Sequence, residues 1–216
     1  MQQFLLKARD PISSLTHLIG AFLSVIATIM LTLSSIIQQA SWLTILSVTI
    51  FGVSLVALYS ASAYYHFIYN DTIREKHFRK VDHAMIYVLI AGTYTPICLR
   101  FMEEPHGLIF ISIIWLVAIA GIIVKVFWMN APRWLSTSLY LLLGWAIVFD
   151  IKAIQGIPSA CLWLIALGGV AYSVGAVIYM FKKPNFSPQF GFHELFHIFI
   201  LLGSLLHFMA VWLYVI

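Results

Sequence analysis

The sequence predicts an all-α integral membrane protein, a single bundle of seven transmembrane helices with its N-terminus cytoplasmic and its C-terminus outside. Three observations predict it. The 216 residues are 62% hydrophobic and only 9% charged, with a mean hydropathy of +0.98. Soluble domains are roughly 45–50% apolar with about a quarter of their residues charged. Apolar runs of bilayer-crossing length, about 20 residues, recur along the chain, and the connections between them leave no room for a soluble domain. The cations are also distributed unevenly between alternate connections, as membrane insertion favours.

The first span is expected at 16–37. Lys7 and Arg9 before it mimic the basic start of a signal peptide, but the run is too long for one and no small-residue cleavage site follows. The second is expected at 43–67 and the third at 81–101, where "AGTYTP" (Ala91 to Pro96) combines small residues that allow close helix contact with a proline that favours a kink. The remaining spans fall at 107–128, 134–154, 159–180 and 191–215. The other prolines, Pro11, Pro105, Pro132, Pro158, Pro184 and Pro188, lie near span ends, where they do least harm. No internal repeat is visible, so residues 1–216 read as one membrane domain.

With the N-terminus inside, the inner segments hold Lys7, Arg9, Arg74, Lys76, Arg79, Lys80, Lys125, Arg133, Lys182 and Lys183, and the outer ones only Arg100 and Lys152. The formal charge of +4 therefore reads as an orientation signal and not as a nucleic-acid surface. Cys98 and Cys161 sit inside apolar spans as core fillers. Trp and Tyr serve as interface belts and packing.

This orientation gathers the ionisable groups. "SASAYYHF" places Ser62 and His66 at the inner end of the second span, and "KVDHAMIY" places Asp82 and His83 at the inner end of the third. "GFHELFHIF" carries His193 and His197 in the first turns of the last span, and "DPISSLTHLIG" carries His17 in the first. Positions i and i+4 share a helix face about 6 Å apart along the axis, so His193 and His197 project together, as two imidazoles must to grip one ion. With His66 they would supply three nitrogens to Zn2+, which prefers four ligands and keeps one position for water in catalytic sites. Asp82 is placed to bind directly, to hold the metal-bound water, or to act as its base. Ser62, a turn from His66, is placed to hydrogen-bond the water or a ligand. Intramembrane ionisable groups are costly to insert and mark function by default.

The other histidines read differently. His17 suits capping or support of a ligand more than ligation, and His83 points about 100° away from Asp82, toward packing or a lipid headgroup. His77 and His106 read as solvated interfacial residues. His207 lies about 20 Å along the helix from His193, near Asp150, with which a structural pair is possible.

The string H-E-x-x-H at 193–197 is the helix motif of zinc proteases, in which the Glu activates water. The extended pattern fails, because Ile200 and Gly203 stand where Gly and His are needed, and no carboxylate follows Glu194. The third ligand has to come from upstream, which argues against a protease.

The seven spans, with "DPISSLTHLIG", the S-x-x-x-H of "SASAYYH", "DHAMIYVLIAGTYTP" and the H-x-x-x-H of "GFHELFHIFILLGSLLHF", resemble the hemolysin III family. This is the bacterial branch of the progestin and adipoQ receptor family, in a superfamily that includes alkaline ceramidases. The resemblance covers essentially the whole chain and implies a cytoplasmic-side zinc ion held by His66, His193 and His197, with Asp82 and Ser62 in the same cluster. It also implies that Glu194 is incidental, and it suggests hydrolysis of a lipid amide or ester, with a lipid-like substrate in the bundle interior. The expected location is the bacterial plasma membrane, with membrane lipids as partners and no nucleic acid. Two alternatives remain: a zinc-stabilised protein that senses or regulates membrane state without catalysis, and a haemolytic pore-former. Short loops and tight helices disfavour the latter.

Overall fold

A computed structural model describes residues 8–69 and 71–216. Among these residues every regular element is helical: α1 Pro11–Ile37, α2 Trp42–Phe67, α3 Thr72–Phe101, α4 His106–Phe127, α5 Arg133–Gly144, a 3-10 turn Ala146–Phe149, α6 Ile151–Gln155, α7 Ser159–Phe181 and α8 Phe192–Tyr214. Six of them, α1 to α4, α7 and α8, are long and apolar enough to cross a bilayer. Their outer faces are apolar: along α1, Leu18, Phe22, Ile26, Ile29 and Leu33 are all exposed. Lys7, counted above among the inner cations, lies outside the described residues.

Two boundaries differ from expectation. α1 begins at Pro11, where a proline at the first helical position loses nothing because its N–H would be unpaired anyway. α3 begins at Thr72, nine residues before the expected 81. The basic stretch around Arg74 to Lys80 is therefore helical, started by the Asp71 side chain, which accepts the Arg74 backbone N–H at 3.0 Å.

The expected fifth span is not one helix. It breaks at Gly144 into α5, the 3-10 turn and the five-residue α6. The Tyr94 hydroxyl on α3 stabilises the break: it donates to the Gly144 carbonyl at 2.7 Å and accepts from the Ile147 N–H at 3.2 Å. Two backbone groups that the interruption frees are thus paired inside the bundle, the condition for non-helical backbone at membrane depth. Asp150 then starts α6 by accepting the Ala153 N–H at 3.1 Å.

Consecutive helices α1 to α4 pack in sequence, α7 packs on α8, and α8 also packs against α1. Small residues let these backbones approach. A Cβ at Gly52 would meet Thr28 across α1 and α2, and one at Gly92 would collide with the Ser54 hydroxyl across α2 and α3. The closeness read from "AGTYTP" is thus realised, with Pro96 buried inside a helix that continues to Phe101. The result that matters for the site is that the end of α2 and the starts of α1 and α8 meet at one end of the bundle.

Candidate metal centre

His66 lies in the last turn of α2, and His193 and His197 in the first two turns of α8. The chain brings them together from positions 127 residues apart, with His66 Nε2 3.2 Å from His193 Nε2. One nitrogen from each of the three rings lies within 4.8 Å of the others, a group able to hold a metal ion. Tetrahedral zinc with bonds of about 2.0–2.1 Å places its ligand atoms about 3.3 Å apart, so the close pair already has the required separation. Three imidazoles and no thiolate suit zinc and its first-row neighbours over calcium or magnesium. His66 and His197 are 3% and 1% exposed, which shields such an ion from bulk water.

Asp82 and Ser62 line the same cavity as the three histidines but do not belong to the compact ligand group. His83 also lines that cavity, while its backbone carbonyl accepts from the Tyr140 hydroxyl at 3.4 Å. His17 stacks flat on His197, with ring centroids 3.6 Å apart, and meets Tyr59 edge-on. It packs the back of a candidate ligand and is not one of the three.

Glu194, the apparent catalytic residue of the protease string, is committed elsewhere. Its carboxylate accepts the Gly191 N–H at 2.9 Å, closing the start of α8, and the Ser13 hydroxyl at 2.9 Å, tying α8 to α1. The suggested pairing of His207 with Asp150 is corrected by the structure. His207 Nδ1 donates to the Gly203 carbonyl at 2.8 Å and its ring stacks on Tyr172, whereas Asp150 lies 2.7 Å from His106. His106 thus sits against Asp150 with its side chain 41% exposed.

Sequence reasoning missed Asp10. Its carboxylate accepts from His66 Nδ1 at 2.9 Å, and Arg9 bonds the same oxygen at 2.9 Å. Burial pushes this carboxyl up, but the bonds from His66 and Arg9 outweigh it and hold it at about 2. The residue lies six positions before the expected start of the first span at 16, and no spacing rule connects it to a histidine on another helix.

The cavity beside the histidines measures about 350 Å³. It is elongated: on α3 its lining runs from Arg79 to Ile97, and on α8 from Phe192 to His207. At 1.5 Å per residue this is a slot roughly 20–27 Å long. Its walls beyond the histidines are mainly apolar, including Ile86, Leu89, Ile90, Ile165 and Ile200.

The family profile described as "Haemolysin-III related" matches residues 6–208. The chain belongs to that family. Among curated relatives, the Hemolysin-3 of Bacillus cereus is 37% identical over 205 residues, covering 94% of this chain and 90% of the relative. The Hemolysin-3 homolog of Bacillus subtilis (strain 168) is 36% identical over 203 residues, covering 94% and 92%. As a haemolysin-III-related chain with six long apolar helices, this is a multi-pass membrane protein, consistent with a bacterial cell membrane.

Proposed function

We propose that this chain is a zinc-dependent hydrolase of a membrane-lipid amide or ester. The observation that carries the reading is the continuity of a three-histidine group with a long, mainly apolar slot. Such a slot suits one acyl chain, and it delivers the polar junction of that chain to the histidines. The reading takes residues 1–216 as one seven-span domain, with the interrupted segment 133–155 as its fifth crossing. The basic inner segments support a cytoplasmic N-terminus and an external C-terminus, which puts the histidine end at the cytoplasmic face.

His66, His193 and His197 would hold the ion. Zinc in such a site supplies a polarised scissile carbonyl and a water acidified to a pKa of about 7. Asp82 takes the proton from the attacking water and returns it to the departing amine or alkoxide as the C–N or C–O bond breaks. Ser62 orients the water or the carbonyl oxygen, and the walls of the slot hold the chain and exclude bulk water. The test is release of free fatty acid from lipid amides and esters by the detergent-purified protein. Release is expected to stop with chelator and to return with zinc.

A second reading is favoured by the origin of the histidines. An ion there would clasp α2 to α8, with α1 packed against both, and would serve a protein that senses or regulates membrane state. Removal of metal would then lower the thermal midpoint without any lipid being turned over. The relatives' names raise a haemolytic role, but the short connections between the helices favour a resident membrane protein.

A further inference from the structure

Asp10 occupies the N-cap position of α1 but does not cap it: its side chain makes no bond to the first turn of the helix. An N-cap aspartate normally satisfies a free N–H there. Here the carboxylate turns away and accepts from His66 Nδ1 at 2.9 Å. An ionised carboxylate can only accept, so the proton on this 2.9 Å bond belongs to Nδ1. The opposite nitrogen, Nε2, then carries the lone pair, and it is Nε2 that faces His193.

We propose that Asp10 is a positioning residue for the metal, holding His66 in the tautomer and direction that present Nε2 to the centre. This rests on the metal-site reading above. Metal-binding histidines generally donate their second N–H to a carboxylate or carbonyl, and loss of that partner weakens the site. The carboxylate is itself pinned. Arg9 lies 2.9 Å from Asp10 through Nη2 and 2.7 Å from Glu75 on α3 through Nη1, and its guanidinium covers the Tyr65 ring at 4.4 Å. A simple tether between α1 and α2 does not explain the side chain, because the Asp10 N–H already donates to the His66 carbonyl at 3.0 Å and the Ser14 hydroxyl to the Ala63 carbonyl at 3.0 Å.

The experiment is chelator competition for zinc on the full-length, detergent-purified protein, comparing wild type, Asp10→Ala, Asp10→Asn and Ser14→Ala. Asp10→Ala is expected to weaken zinc binding about 10–100-fold. Asp10→Asn keeps an acceptor oxygen and is expected to fall between it and wild type. Ser14→Ala loosens the helix pair and is expected to lower the thermal midpoint while leaving zinc affinity within about 2-fold. Nitrogen-15 imidazole spectra of metal-free wild type should place the His66 proton on Nδ1, a readout that needs no variant to fold. Zinc affinity unchanged in Asp10→Ala, or a His66 proton on Nε2, overturns the role of Asp10 alone. Wild type that takes up no zinc overturns the metal-site reading beneath it.

Discussion

Asp10 and His66 hold each other twice, once through backbone and once through side chains. The Asp10 N–H donates to the His66 carbonyl at 3.0 Å, and the Asp10 carboxylate accepts from His66 Nδ1 at 2.9 Å. The start of the first helix and the end of the second are thereby locked at the point where His66 meets His193 and His197.

The first expected outcome concerns stoichiometry. Wild-type protein purified without chelator should hold about one zinc per chain, and His66→Ala and His193→Ala should each lose it, because two imidazoles alone are a poor zinc site. Elemental analysis of the three proteins decides this. Zinc retained in both variants would mean that the ion sits elsewhere.

Asp82→Asn separates binding from turnover. Asp82 lines the cavity outside the compact ligand group, so zinc content should stay near wild type while fatty-acid release falls by at least about 100-fold, the usual contribution of a general base. Loss of zinc in this variant would make Asp82 a ligand instead.

Acid should strip the metal through the imidazoles and not through Asp10. Histidines bind metal only when neutral, so protons compete with the ion and metal content should fall as the pH is lowered. The Asp10 carboxyl is held at about 2, below its ordinary value. Its contribution is therefore complete above the ordinary carboxylate range and is lost only as pH falls toward that value. Desalting at stepped pH followed by metal analysis gives the profile. Metal content that does not fall as acid is added would overturn the imidazole ligand set.

The broken fifth segment depends on Tyr94. Tyr94→Phe removes a donor from the Gly144 carbonyl and an acceptor from the buried Ile147 N–H, and leaving that N–H unpaired costs about 1–3 kcal/mol. A lower thermal midpoint with zinc content intact is expected. An unchanged midpoint would show that the hydroxyl is dispensable at the break.

The α2–α3 contact depends on having no side chain at residue 92. Gly92→Val would drive its Cβ into Ser54, whose Cβ lies 2.7 Å from the ideal position, at a cost of about 1–3 kcal/mol. Ser54→Gly in the same chain should recover part of the loss. Midpoints of the single and double variants measure the coupling, and simple additivity would place the strain elsewhere.

Composition and spacing revealed much of this protein in advance. Apolar runs mark helices wherever lipid is the solvent, because an unpaired backbone group in hydrocarbon costs several kcal/mol. The six long helices follow from that constraint. The i, i+4 spacing of His193 and His197 puts both on one face, and helix period alone delivers that pairing. Other features depend on neighbours distant in sequence. The segment 134–154 is apolar over most of its length, and its break is stabilised by Tyr94, from another helix, which pairs the freed backbone. Glu194 matches a catalytic motif, yet Ser13 and Gly191 occupy its oxygens. Asp10 falls outside the expected first span and becomes a partner of His66 only when α1 and α2 lie side by side. Local pattern specifies which residues share a helix face; which faces meet is set by packing between helices, and there the partners of Asp10, His66 and Tyr94 are chosen.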